Sequence, residues 1–262
     1  MTEKFDATRK AEYSLIQEKH AEHPVRRLIS VVGDRNFIAS LSAFGPGTYR
    51  NNQAEMQKQY SHPETGKTIS FKPATTAETI LINAYDFENI AKKEIFDPRW
   101  LQLGIIVKIS EGFFANVPRD AQGKLITDEK TLKSFLKTSK KVNEIYLLGN
   151  DFGFAPYETL KRGIQEGGTF AEGGLARLLE HSDERTVPNL GEISSSKNYS
   201  RGVNVYKFDE TSEPLLRVST LNSGWDLDRE LLVDGNDHGS YRNGYAFGVQ
   251  VVPQAHPKTN IY

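Results

Sequence analysis

The chain has 262 residues, 37% hydrophobic and 26% charged, with a formal net charge of −1. That length buries one sizeable core or two small ones, and a near-neutral balance gives no overall electrostatic footprint for phosphate, short of a local basic patch, so nucleic acid is not an expected partner. The lack of cysteine excludes disulfides, thiolate zinc sites and thiol nucleophiles together.

From Ala7 to Arg27, the spacing of Ala11, Leu15 and Ile16 among Glu, Lys and Arg predicts an amphipathic helix, ending near His23-Pro24 because proline disfavours helical geometry in the residue before it. Met1 to His20 holds no long apolar run, so neither a signal peptide nor membrane insertion is expected; a cytoplasmic location follows unless a partner carries the chain to a surface. Leu28 to Val32 reads as a strand and Gly33-Asp34 as a turn. Gly45 to Pro73 is short of large aliphatic side chains and reads as a loop or long hairpin. Ala77 to Ile95 carries Ile80, Leu81, Ala84, Phe87, Ile90 and Ala91 at helical spacing, closed by Asp97-Pro98.

Leu103, Ile105, Val107 and Ile109 predict a buried strand over Trp100 to Ile109, turning at Glu111-Gly112 into a second run, Phe113 to Val117. Thr127 to Ser139 is a predicted helix with Thr127 as N-cap and Leu132, Phe135 and Leu136 on one face. A strand is expected over Val142 to Leu148, with a turn at Gly149-Asn150-Asp151. Leu175, Leu178 and Leu179 make a short apolar face ending at His181-Ser182, Thr186 to Ser200 reads as a polar connector, and Val203 to Phe208 as a further strand. No internal repeat runs through the chain, which argues against a solenoid or propeller.

The most informative segment is the last. Leu215–Val218, Glu230–Val233 and Ala246–Val251 are short apolar runs separated by Ser, Thr, Asn, Gly, Asp, Tyr and Arg. Small polar residues mixed with Trp225, Tyr241 and Tyr245 are the composition of a binding surface, rigid aromatics giving area and small polar groups giving adaptable hydrogen bonds. The framework is expected to bury Leu216, Val218, Leu231, Leu232, Val233, Phe247, Val249 and Val251. The surface is expected to use Asn222, Gly224, Asp226, Asp228, Asp234, Asn236, Asp237, His238, Ser240, Tyr241, Arg242, Asn243 and Tyr245. An alternative reading makes Gly224, Gly235, Gly239 and Gly244 plain turn residues at the polar edge of a β domain.

Arg217-Val218, Tyr241-Arg242-Asn243 and Ala246-Phe247-Gly248-Val249 resemble the C-terminal end of C-type lectin-like domains of the formylglycine-generating-enzyme type. Asn, Asp, Ser, Gly, Tyr, Arg and His are all reachable by mutating adenines in asparagine codons, so the segment is similar to the variable region of proteins diversified by a diversity-generating retroelement, in their archaeal branch. Trp225, Glu230 and Gln250 are not single-step products of that mutagenesis and would belong to the scaffold. The resemblance covers about a seventh of the chain, residues 216–252. It implies an α+β, C-type lectin-like fold with mixed helices and short antiparallel strands, in one domain over 1–262: helix, strand and long loop (1–75), core (76–215) and binding region (216–252). The function it implies is non-catalytic binding of a protein or glycan, without cofactor. Formylglycine-generating chemistry needs cysteines and is excluded here.

Rival chemistries leave little trace. Gly66-Lys67-Thr68 ends like a phosphate-binding loop, but Ser61 stands where its first glycine belongs, so a hairpin tip is expected; Gly45-Pro46-Gly47 has Arg50 in place of the third glycine of a dinucleotide fingerprint. There is no Gly-x-Ser-x-Gly elbow. His20 and His23 have no evident third zinc ligand. Asp226, Asp228 and Glu230 alternate as in a calcium loop, but Leu231 occupies the position of its turn glycine. The alternative function is therefore a calcium-dependent carbohydrate-binding or enzymatic lectin-like protein using Asp226, Asp228, Asp234 and Asp237.

Overall fold

A strand, not a helix, opens the part of the chain that the computed structural model describes, namely residues 12–17, 27–32, 36–41, 43–84, 100–149, 152–181, 189–195, 199–223, 229–237, 239–240 and 242–251. β1 (Glu12–Gln17) pairs antiparallel with β2 (Arg27–Val32), Leu15 opposite Ile29. The predicted N-terminal helix is thus corrected. A neighbouring strand offers Tyr13, Leu15 and Ile16 a ladder of backbone bonds, and tertiary pairing overrides a weak helical periodicity. β2 pairs in turn with β3 (Phe37–Ser40).

The stretch expected to be loop or hairpin is more ordered. After β4 (Phe44–Gly47), Thr48 caps α1 (Tyr49–Met56), its side chain accepting from the Asn51 amide at 3.1 Å. α1 is almost wholly polar yet buries Asn52 and Met56. The hairpin expectation holds beyond it: β5 (Tyr60–Ser61) and β6 (Thr68–Ile69) pair antiparallel, and Gly66 lies at the tip with φ 66°. β7 (Lys72–Pro73) follows. α2 (Thr76–Ala84) begins in a capping box, Thr75 N–H donating to Glu78 Oε2 at 2.8 Å and Glu78 N–H to Thr75 Oγ1 at 3.2 Å.

β8 (Trp100–Lys108) and β9 (Gly112–Ala115) form the predicted hairpin. α3 (Glu129–Leu136) is capped by Asp128 and not Thr127, the Asp128 carboxylate accepting from Thr131 N–H at 2.8 Å. The strand expected over 142–148 is two, β10 (Lys140–Val142) and β11 (Ile145–Leu148), because Asn143 and Glu144 take positive φ and turn the chain between them. β12 (Phe152–Pro156), β13 (Gly163–Gln165), α4 (Gly167–Glu172) and α5 (Gly174–Glu180) come next. Inside the expected polar connector lies a helix, α6 (Asn189–Ser194), buried through Leu190 and Ile193. The Glu180 carboxylate accepts from the Asn189 and Leu190 amides at its start, at 2.6 and 2.5 Å. β14 (Gly202–Tyr206), β15 (Leu215–Ser223), β16 (Glu230–Asp237), β17 (Gly244–Ala246) and β18 (Gly248–Val251) complete the elements of the described residues.

The architecture is α+β. The large sheet runs β10-β11-β12-β9-β8-β15-β16-β14-β13, with β17 joining β8 and β4. Most ladders are antiparallel, but β14–β16 and β17–β8 are parallel, which the expectation of antiparallel strands did not include. The second sheet is β1-β2-β3-β18-β7, so the last strand returns to lie between N-terminal elements. One apolar cluster joins both sheets and the helices, from Ile29 and Phe37 through Ile80, Leu101, Leu178 and Leu231 to Phe247 and Val249. Of the expected framework residues, Val218, Leu231, Val233, Phe247 and Val249 are buried and Leu232 half-buried, whereas Leu216 is 46% exposed. Leu216 lies outside that cluster because its pleat position points away from it.

Candidate functional site

Leu221, Leu231 and Val233 point into the main core, so the alternate side chains of the same strands, Thr220 and Asn222, project from the opposite face. Register carries this polar face across three strands: Thr220 stands opposite Gln102 of β8 on one side and Asp234 of β16 on the other. Gln102, Thr220 and Asn222 are 2%, 0% and 0% exposed. α1 lies against this face. The Asn52 amide nitrogen donates to Gln102 Oε1 at 3.1 Å, to the Gly244 carbonyl at 2.9 Å and to the Gly47 carbonyl at 3.3 Å.

The chain between β16 and β17 is fastened at both ends through its backbone. Tyr49 N–H donates to the Gly239 carbonyl at 2.9 Å, the Gly239 amide donates to Asp237 Oδ1 at 2.7 Å, and Asn52 holds the Gly244 carbonyl. Gly239 takes φ 66°, and a Cβ on Gly244 would run into the Gln102 amide, so glycine is required at both ends for steric reasons. Between these fixed points Ser240 and Arg242 are exposed and Asn243 is half-buried; their side chains enter no hydrogen bond or ion pair among the described residues.

The expected binding residues therefore divide. Ser240 and Arg242 are exposed and Asn243 is half-buried. Asn222, Asp234 and Asp237 are only 0%, 7% and 1% exposed, which corrects their assignment as contact residues. Neither amide atom of Asn222 meets a hydrogen-bond partner among the described residues. Asp234 Oδ1 accepts from the Asn236 amide at 2.8 Å, so Asp234 and Asp237 both close turns on nearby backbone. Asn236 is half-buried and accepts from Arg217 Nε at 3.0 Å, a strap between β15 and β16. Tyr245 is half-buried and packs against the main core, so it is partly framework. Gly224, Asp226, Asp228, His238 and Tyr241 lie outside the described residues, as does Trp225.

Burial pushes the Asp234 carboxyl up to about 6, against the lowering effect of the Asn236 N–H; the neighbouring Asp237 adds to the rise, while Lys108 and Lys207 oppose it. Among the described residues no three His, Cys, Asp or Glu side chains are grouped to hold a metal ion, and no helix is long and apolar enough to cross a membrane. The clamp residues Asn52 and Gln102 were invisible to sequence reasoning. Each is a common polar residue in an unremarkable context, and only the fold brings them together across 50 positions.

No family model and no curated protein matches the chain. One similar solved structure concerns the accommodation of massive sequence variation in Nanoarchaeota by the C-type lectin fold; it superposes with a TM-score of 0.45 at 13% identity, covering 84% of this chain and 99% of that one. A likeness of that degree fixes neither family nor ligand.

Proposed function

We propose that this chain is a non-catalytic ligand-binding protein of C-type lectin-like build whose C-terminal surface is diversified to bind varied protein or glycan partners. One observation carries the reading: the connection is held at Gly239 and Gly244 through their backbone groups, while the side chains of Ser240, Arg242 and Asn243 enter no hydrogen bond or ion pair among the described residues. A loop anchored in that way keeps its shape whatever its side chains are, which is the physical requirement for a face that changes identity without unfolding. Ligand contact is then made by side chains, with Arg242 as the charged donor and Ser240 and Asn243 as neutral partners.

The genome supplies the test. A near-identical repeat of the Val218–Val251 coding segment, with adenines at the differing positions and a reverse transcriptase gene nearby, is the expected finding; its absence removes the diversification reading. The calcium-dependent alternative is disfavoured by the work Asp234 and Asp237 already do, each holding a backbone amide. Calcium or a chelator is accordingly expected to leave the melting temperature unmoved. A calcium-dependent rise, the consequence of any ion bound only by the folded state, would reinstate the alternative.

A further inference from the structure

At the other end of β8 from this surface, roughly 25–30 Å away by the rise of a nine-residue strand, the molecule has a groove of about 470 Å³. That volume falls in the range of small-molecule sites. The hairpin turn, the end of α3, β11 and β12 and the loop after β14 build it, and its composition is one-sided. Tyr146, Phe154 and Tyr157 supply aromatic wall; Glu111, Glu158 and Glu210 supply carboxylates; among the described residues no Lys, Arg or His lines it.

Two of these rings already attract cations on their flanks. The Lys141 ammonium stands 5.9 Å from the Tyr146 ring centroid and the Arg162 guanidinium 5.4 Å from that of Tyr157. The Glu111 carboxyl is held below its ordinary range, first by the Lys133 ammonium at 2.6 Å and then by the Ser110 hydroxyl, so it stays ionised. Tyr157 is 4% exposed and its hydroxyl has no hydrogen-bond partner. Burial drives its ionisation above the usual tyrosine range against the lowering effect of Arg162, with Asp209 and Glu210 adding to the rise, so that hydroxyl remains neutral. The partly open Tyr146 ring and the exposed Glu158 and Glu210 carboxylates attract a cation and repel an anion. The rings of Phe154 and Tyr157, 5% and 4% exposed, leave little open face for a sugar to stack on.

We propose that this groove binds a primary alkylammonium group, carried by a free aliphatic diamine or by a lysine side chain of a polypeptide. Glu158 and Glu210 pair with the charge and Tyr146 packs on the methylene chain. Nothing in it depends on the C-terminal surface, and its failure would leave that reading intact.

The test is calorimetric titration of the full chain with 1,5-diaminopentane at low salt, alongside uncharged 1,5-pentanediol and Nα-acetyl-lysine amide. Saturable binding of the diamine, absent for the diol and weakened by added salt, is expected. The exposed double variant Glu158→Gln, Glu210→Gln should weaken it roughly fivefold to tenfold without shifting the ligand-free melting temperature. Tyr146→Leu, which keeps every charge, should weaken it as well, whereas Glu166→Gln with Glu172→Gln, outside the groove, should not. Tighter binding of the diamine assigns a free amine as ligand; tighter binding of the lysine derivative assigns a polypeptide side chain. No saturable heat, or equal weakening by the control pair, overturns the proposal.

Discussion

Asn222 and Asn52 are the same residue type in opposite circumstances. Both are buried, but the Asn52 amide nitrogen reaches three acceptors, while neither polar atom of Asn222 has a partner among the described residues. An unsatisfied buried polar group costs about 1–3 kcal/mol, whereas a bonded one is lost at comparable expense when removed. Asn222→Leu is therefore expected to raise the chemical-denaturation midpoint and Asn52→Ala to lower it by about 2 kcal/mol in unfolding free energy. Equal destabilisation by the two would show that Asn222 is bonded after all.

Two buried carboxyls govern the pH response. Burial raises Asp234 to about 6 and Glu180 to about 7, the latter despite the amides of Leu190 and Asn189 that favour its charged form. In both, the folded protein holds a proton that the unfolded chain releases near pH 4. The folded state is therefore favoured at low pH, and that contribution is lost as pH rises through about 6 and 7. The melting temperature is expected to fall between about pH 4 and pH 7 and to level off above, and Glu180→Gln to flatten the upper part of that slope. A slope identical in the variant would remove Glu180 from this role.

At the scale of elements, α1 is the device that turns a C-terminal connection into a surface. Its polar sequence has little apolar stripe, so it forms because Thr48 caps it and because its buried side holds Asn52 and Met56 against the sheet. Thr48→Ala should cost about 1 kcal/mol. Replacing Ser240, Arg242 and Asn243 together by alanine should change stability by about 0.5 kcal/mol or less per position, because their neighbours are fastened by backbone. A drop in melting temperature as large as that of Asn52→Ala would mean these side chains do hold the loop. Leu190 and Ile193 in α6 illustrate why the connector over 186–200 was misread: a two-residue apolar pair in a polar stretch carries no periodicity until other helices supply something to pack on.

For the whole molecule, what could be read from the chain was what repeats locally. The strands over β2, β8, β9 and β14, the helix α3 and the hairpin tip at Gly66 followed from alternation, from spacing and from one turn glycine, since those patterns report which side chains face a core at neighbouring positions. The same holds for Val218, Leu231, Val233, Phe247 and Val249 as framework. Sequence also settled the missing cysteine chemistry, because absent atoms need no fold to exclude them. Tertiary structure alone decided that residues 12–17 are a strand, that β18 closes against β3, and that Asn222, Asp234 and Asp237 lie under the surface they were expected to form. Polarity states what a side chain can bond to, not whether another element covers it. Here α1, nearly 200 positions away in sequence from Gly244, meets the polar face of the sheet through Asn52 and Gln102, and no pattern within the C-terminal segment encodes its arrival.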